Sequence, residues 1–262
     1  MAMMIRWPKP LHDLVDLLLP PACVGCDRPM PGERESFCAS CAGRVLADVG
    51  KDYCPRCGAN AEPYLTSTEG CPKCRARRSP IAGLARVGTY GGIVGDVVKR
   101  FKFTRQQRLD QVLGTMVADA IRSRAWHDEL DALVPVPMDW RGWWQYRFNP
   151  AELIARSVGR SLRLPTWDVV RAQGNRRPQK DLPESERIDN IRGAFRMRRR
   201  ARRVVGKCVC VIDDVCTSGA TMREMGRVLK AAGAARVYGA VAARTQLGQG
   251  DLLMMPPAIP GT

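Results

Sequence analysis

Residues 209–222, VCVIDDVCTSGATM, set two adjacent carboxylates, Asp213 and Asp214, just ahead of a small-residue turn, Thr217, Ser218, Gly219, Ala220 and Thr221. Val209, Val211 and Ile212 read as the end of a buried strand, and the residues after the turn read as a helix running to about Ala232. A turn that opens a helix offers unpaired backbone N–H groups and the positive end of the helix dipole, which together favour a phosphate. Gly219 permits close backbone approach, and the hydroxyls of Thr217, Ser218 and Thr221 add donors. Two aspartates aimed at that phosphate would repel it. They make sense as acceptors for the two hydroxyls of a ribose, or as holders of water on Mg²⁺, with the phosphate one turn further on. The segment therefore reads as a ribose 5-phosphate site. A strand, turn and helix capped by Thr and Ser is the plainer alternative. A Walker A loop is excluded, because no G-x-x-x-x-G-K-[ST] occurs.

The second chemical signal is cysteine. Eight of eleven fall in four C-x-x-C pairs, Cys23/Cys26, Cys38/Cys41, Cys54/Cys57 and Cys71/Cys74, separated by 11, 12 and 13 residues, leaving Cys208, Cys210 and Cys216 over. A C-x-x-C turn presents two thiolates to one metal, and zinc takes four tetrahedral ligands, so two pairs close one site. The expectation is two structural Zn²⁺ ions, most simply with pairs one and two on the first and three and four on the second. An interleaved pairing stays open. Thioredoxin-like redox chemistry normally uses one such pair rather than four, and a full ligand set leaves no open position for catalysis.

Those residues need elements to hold them. The chain has 262 residues, enough for one domain plus an appendage, and 45% hydrophobic residues, enough for a core. Strand-like runs begin at Leu84, Ala132, Lys207 and Arg236 with helical stretches between them, which predicts an α/β domain with a mostly parallel sheet. Residues 1–82 are expected to form an N-terminal helix and a double zinc ribbon, residues 83–245 the α/β domain, and residues 246–262, rich in Gly and Pro, a poorly ordered tail. The Arg-rich RARRSP at 75–80 reads as the linker. Leu11, Leu14, Val15 and Leu18 share one helix face that suits docking against the protein's own core, because Asp13 and Asp16 make it a poor membrane-surface helix.

The net charge of +16 predicts a polyanionic partner. Residues 1–82 carry 11 basic and 9 acidic residues, whereas residues 83–262 carry 31 and 17, so that surface belongs to the α/β domain. Its densest window, 171–207, holds 13 basic and 4 acidic residues, and reads either as a solvated connection or as a phosphate or nucleic-acid contact. Trp140, Trp143, Trp144, Tyr146 and Phe148 interleave with Arg141 and Arg147. Such a cluster either packs a hood or the zinc module, or stacks on the bases of single-stranded nucleic acid. No run approaches the length of a transmembrane span, and His12, Asp13 and Asp16 break any signal-peptide core, so the paired cysteines fit a reducing cytoplasm.

With the strand, the two acids and the T-S-G-A-T turn in view, the chain resembles the phosphoribosyltransferase type I fold, and more closely the ComF family of competence-associated proteins, a double zinc ribbon joined to a phosphoribosyltransferase domain. The resemblance covers most of residues 20–245, including YGGIVGDVVKRFKF from Tyr90, VPVPMDWRGWWQYRFNPAELIAR from Val134 and RRPQKDLPESERIDNIRGAF from Arg176. It implies that Asp213 and Asp214 bind ribose, that Thr217–Thr221 bind the 5-phosphate, that Lys102 fills a recurrent basic position, and that Met138–Arg141 match a pyrophosphate loop. Gln179, Arg187 and Asn190 match a Q…E-R…N signature. Lys102, Arg141, Lys180 and Arg187 are then the candidate catalytic cations for the pyrophosphate of phosphoribosyl pyrophosphate, bound with Mg²⁺. The chain departs from the family's R-G-F-N-Q, having Tyr146, Arg147, Phe148, Asn149 and Pro150. The resemblance further implies handling of single-stranded DNA in natural transformation, beside other competence proteins such as a DNA-uptake helicase. A metabolic phosphoribosyltransferase acting on a base or amine, and an inactive zinc-ribbon scaffold, are the alternatives.

Overall fold

The computed structural model describes residues 22–30, 35–60, 67, 69–76, 78–104, 107–173, 191, 193–198 and 201–246. Lys180, Arg187, Gln179, Asn190, the helix expected around Leu11–Leu18 and nearly all of the expected tail lie outside these residues. Six strands are present among them: β1 (Leu84–Thr89), β2 (Ala132–Pro135), β3 (Val170–Ala172), β4 (Phe195–Met197), β5 (Cys208–Cys216) and β6 (Arg236–Arg244). The helices are α1 (Ala39–Val49), α2 (Pro72–Arg75), α3 (Ile93–Thr104), α4 (Gln107–Arg122), α5 (Trp140–Tyr146), α6 (Pro150–Leu162) and α7 (Ala220–Ala231).

β1, β2 and β6 are near-continuous apolar runs because the sheet they form is covered on both faces. Its order is β1-β6-β5-β2 and every pairing is parallel. Successive residues of β5 alternate between two cores, as a pleated strand requires. Cys210 and Ile212 join Phe101 of α3, Leu113 of α4 and Ile154 of α6, while Val209 and Val211 join Met225 and Leu229 of α7 and Phe195 of β4. β3 and β4 pair antiparallel as a separate ribbon over the α7 face.

Two expectations change in detail. β5 does not stop before the acids but carries Asp213 and Asp214 within it as far as Cys216, because Asp213 and Val215 keep their places opposite Val241 and Ala243 of β6. The linker is also shorter than its composition suggests. Arg75 ends α2, and Ile81 is buried against Gly226 of α7 while the Ala82 amide donates to the Val237 carbonyl. Gln246, at the start of the expected tail, exchanges hydrogen bonds with Asn60.

The cysteine knuckles are packed on the sheet rather than hung from it. Cys23, Val24, Met30 and Cys41 are buried in the same core as Val87, Ile93 and Phe101. Among the described residues no helix is long and apolar enough to cross a membrane.

Candidate functional site

The carboxyl ends of β2, β5 and β6 build one edge, the side on which open parallel sheets bind ligands. At the centre β5 runs into Thr217–Gly219, and α7 begins at Ala220. Gly219 has φ +74°, a left-handed conformation that a side chain resists, so glycine is required there by the turn itself. The Ser218 hydroxyl accepts from the Ala220 amide at 3.3 Å, and Arg223, one turn into α7, donates to the Ser218 carbonyl at 3.0 Å. Arg223 thus brings a cation over the turn. Sequence reasoning missed it, although its place four residues after Gly219 on a helix is the available signal.

Asp213 accepts from the Asp214 amide at 2.9 Å. Burial, with the neighbouring Asp214 charge, pushes the Asp213 carboxyl well above the usual carboxylate range, against the pull of Lys102. The Lys102 ammonium, in the last turn of α3, stands 2.9 Å from the Asp214 carboxylate. Burial works against the Lys102 charge, but Asp214 and Asp213 outweigh it and raise its pKa. The structure therefore brings Lys102 to the acids themselves.

β2 supplies the opposite wall. The Val136 amide still pairs with the Ile212 carbonyl at 2.9 Å, so the chain leaves β2 for Met138–Arg141 from beside the residue that precedes the acids. Asp139 caps α5 by accepting from the Gly142 amide, so this stretch ends as a helix start. The side chain of Arg141 is outside the described residues. Tyr146, at the end of α5, lies against Phe103 with ring centroids 6.0 Å apart, and its phenol feels both Lys102 and Asp214 while burial raises its pKa.

The aromatic cluster splits. Phe148 packs on Phe101 at 5.4 Å, as a core residue should. Trp140, Trp143 and Trp144 instead remain 56%, 51% and 61% exposed, and Arg147 lies over the Trp144 ring at 5.0 Å. These three rings are therefore not packed into the interior as Phe148 is.

The departure from R-G-F-N-Q also has a physical reading. Arg147 adopts φ +62°, a left-handed conformation that glycine would take freely and that an arginine takes at a local cost of about 1–2 kcal/mol. Asn149 caps α6, accepting from the Ala151 amide and donating to the Val136 carbonyl, and Pro150 is well placed at the first helical position.

The eight cysteines form two groups, Cys23, Cys26, Cys38, Cys41 and Cys54, Cys57, Cys71, Cys74, with all sulfurs in each within 4.8 Å of one another. The sequential pairing is therefore the one adopted. Cys26 and Cys38 sulfurs are 3.8 Å apart and Cys57 and Cys71 sulfurs 3.9 Å. Tetrahedral zinc with Zn–S bonds near 2.3 Å sets ligand sulfurs about 3.8 Å apart, so both groups fit that ion. Burial opposes the Cys23 thiolate, but amide donors from Cys38, Gly25 and Cys26 bring its pKa down to about 6. Cys57 brings that of Cys54 down to about 4. Burial and three neighbouring thiols push Cys41 up to about 12, a repulsion that a divalent cation removes. The three remaining cysteines line β5, where burial raises the thiols of Cys210 and Cys216.

A family model described as a double zinc ribbon domain matches residues 14–75, and one described as a phosphoribosyl transferase domain matches residues 148–252. The chain is 24% identical to Competence protein F of Haemophilus influenzae, over 80% of this chain and 91% of that protein. It is 27% identical to DNA utilization protein YhgH of Escherichia coli, over 84% and 96%, and 25% identical to Competence protein ComFC of Bacillus subtilis, over 74% and 78%. The chain thus joins a double zinc ribbon to a phosphoribosyltransferase domain and is similar along most of its length to proteins named for competence and DNA utilization. The ribbon match covers both cysteine tetrads, and the transferase match covers Asp213, Asp214 and the whole Thr217–Thr221 turn.

Proposed function

We propose that the edge formed by Asp213, Asp214 and Thr217–Thr221 binds the ribose 5-phosphate part of phosphoribosyl pyrophosphate, and that the protein uses this site in handling single-stranded DNA during DNA uptake, in the cytoplasm and beside other competence proteins such as a DNA-uptake helicase. The observation that carries the reading is the juxtaposition of the acid pair and Lys102 with a glycine-dependent turn at the start of α7. The turn's amides and hydroxyls suit a phosphate, and the two carboxylates suit the ribose hydroxyls. Mg²⁺ arriving with the ligand would neutralise the pyrophosphate and relieve the crowding of the two acids. Lys102 spends one of its three donors on Asp214, leaving others for pyrophosphate oxygens. Arg141, Lys180 and Arg187 are the further cations proposed for that side.

The DNA part is supported by the names of the relatives and by the exposed indoles of Trp140, Trp143 and Trp144 beside Arg147. Base stacking on such rings contributes roughly 1–3 kcal/mol each.

Calorimetric titration of zinc-loaded protein with phosphoribosyl pyrophosphate, with and without Mg²⁺, tests the ligand. Saturable binding that Asp213→Asn with Asp214→Asn removes is the expected result; no heat under either condition overturns it. Asp213→Asn also separates function from folding. A carboxyl whose folded pKa is raised adds stability at low pH and loses it as pH rises through that value, so the amide should hold or raise Tm at neutral pH while weakening the ligand. For DNA, an oligonucleotide affinity that falls steeply with salt, and falls again in Trp143→Ala with Trp144→Ala, is expected. Salt-independent or absent binding removes that part.

A further inference from the structure

Arg244 ends β6 after the buried apolar run Val237–Ala243, and its side chain is turned inward rather than to solvent: the residue is only 6% exposed. Its Nε donates to the Cys57 carbonyl at 3.1 Å, and its Nη1 donates to the Cys216 carbonyl at 3.0 Å and the Thr245 carbonyl at 3.1 Å. Cys57 is a ligand of the second tetrad, and Cys216 is the residue directly before the Thr217–Thr221 turn. One planar guanidinium therefore spans the metal knuckle and the start of the candidate phosphate turn. Main chain reinforces the same node: the Thr245 amide also donates to the Cys216 carbonyl at 3.0 Å, and the Tyr90 amide donates to the Arg244 carbonyl at 3.0 Å.

Charge explains why an arginine is held there. Four thiolates around Zn²⁺ carry a net charge of about −2. Two buried arginines face that cage: Arg244, and Arg86 of β1, whose Nη1 donates to the Gly58 carbonyl at 2.7 Å. Only Arg244 reaches on to the turn. Without the ion nothing ties Cys54 and Cys57 to Cys71 and Cys74, so the Cys57 carbonyl that Arg244 holds loses its fixed position. A buried guanidinium keeps its charge and its donors, so it must follow that carbonyl, and the Cys216 carbonyl that it also holds loses its support.

We propose that Arg244 is a positioning residue that couples metal occupancy of the Cys54/Cys57/Cys71/Cys74 site to the order of the Thr217–Thr221 turn, so that zinc in the second knuckle tightens the binding of ribose 5-phosphate ligands. The affinity consequence rests on the function proposed above; the coupling to the turn does not. Linkage makes the effect reciprocal: a ligand that orders the turn slows metal loss from the second knuckle by the factor by which the metal improves ligand binding, on the order of 10-fold for a coupling of ordinary size. The first knuckle has no such bridge among the described residues, so its metal should not respond.

The test uses the full zinc-loaded chain. Amide exchange at residues 216–221, and release of each zinc to a chelator, are followed with and without phosphoribosyl pyrophosphate, in the native protein, in Cys71→Ser to empty the second site and in Arg244→Lys. Lysine keeps the charge but cannot span both carbonyls. Expected are loss of exchange protection at the turn in both variants, ligand affinity about 10-fold weaker, and selective protection of the second zinc by ligand in the native protein that Arg244→Lys abolishes. A general loss of stability would weaken both zinc sites alike and leave the ligand's selectivity intact. Turn protection unchanged in Cys71→Ser and Arg244→Lys overturns the coupling even if ligand binds the native protein. Turn protection lost, with no ligand binding in any form, upholds the coupling and removes the ribose-phosphate reading instead.

Discussion

The knuckle of Cys23–Asp27 and the knuckle of Cys54–Gly58 have the same cysteine spacing, yet they are joined to the sheet by different forces. Cys23, Val24 and Cys41 sink into the apolar core, and a Cβ built on Gly25 would stand only 3.2 Å from the Ile93 side chain. Polar support there is peripheral: Arg100 donates to the Val24 carbonyl and pairs with Asp27, whose side chain is 66% exposed. The second knuckle is docked by polar groups instead. Arg86 holds the Gly58 carbonyl and Asn60, Arg244 holds the Cys57 carbonyl, and the Leu84 amide donates to the Pro55 carbonyl. Burial is compatible with those arginines only because carbonyls and the anionic cage satisfy them. Equal metal cages can thus be an extension of a hydrophobic core in one place and an electrostatic clamp in the other.

Metal removal should break the likeness most visibly. Structural zinc contributes on the order of 10–16 kcal/mol of apparent binding energy in small fingers, so a strong chelator should lower Tm by tens of degrees. Amide exchange should show residues 54–60 leaving the sheet before residues 23–30, since apolar packing outlasts a clamp whose carbonyls are no longer held in place. Simultaneous release of the two would mean that both knuckles depend on metal in the same way.

Arg86→Met against Arg100→Met sharpens the contrast at the next scale. The first strands the buried Gly58 carbonyl and Asn60 and should cost about 3 kcal/mol in urea unfolding. The second gives up the exposed pair with Asp27 and one bond to the Val24 carbonyl and should cost less, about 1–2 kcal/mol. Equal losses would erase the distinction.

How much of this was legible beforehand follows the range of the interactions. Local patterns were readable: four C-x-x-C turns, the glycine of the turn before α7, the two acids and the apolar strands. The cages and the turn came out as the spacing requires, because each is built within a short stretch of chain. The arginine clamp was not readable, since Arg86, Arg244 and Gly58 meet only after the sheet has formed. The one clue was a charged residue inside or ending an apolar strand. The exposure of Trp140, Trp143 and Trp144 was likewise undetermined, because composition does not say on which side of an edge a short helix stands.

The helix behind the first knuckle adds a buried polar contact to the sheet. Asp48 of α1 is buried and accepts from the Thr89 hydroxyl at 2.7 Å and from the Thr89 amide at 3.2 Å, closing the carboxyl end of β1. Asp48→Ala leaves both donors buried and should cost about 2 kcal/mol, read by chemical denaturation with zinc content unchanged. A larger loss that releases the first zinc would show that this helix, rather than the core contact, secures the knuckle.

The smallest effect comes from the residue after the second cysteine of each knuckle. Asp27 has φ +60° and Gly58 φ +71°, so both turns demand the left-handed region and only one uses glycine. A Cβ at Gly58 would meet the Leu84 Cδ2 at 2.7 Å, and the conformation itself disfavours a side chain, so Gly58→Asp should cost about 2 kcal/mol. Asp27→Gly relieves about 1 kcal/mol of backbone strain but gives up an exposed pair with Arg100 and makes the unfolded chain more flexible. These terms nearly cancel, so Tm should stay within about 2 °C, a shift corresponding to less than about 1 kcal/mol in a chain of this size. A clear loss would mean that the Asp27–Arg100 pair fastens the first knuckle more firmly than its exposure suggests, and that the two knuckles are both held by arginine.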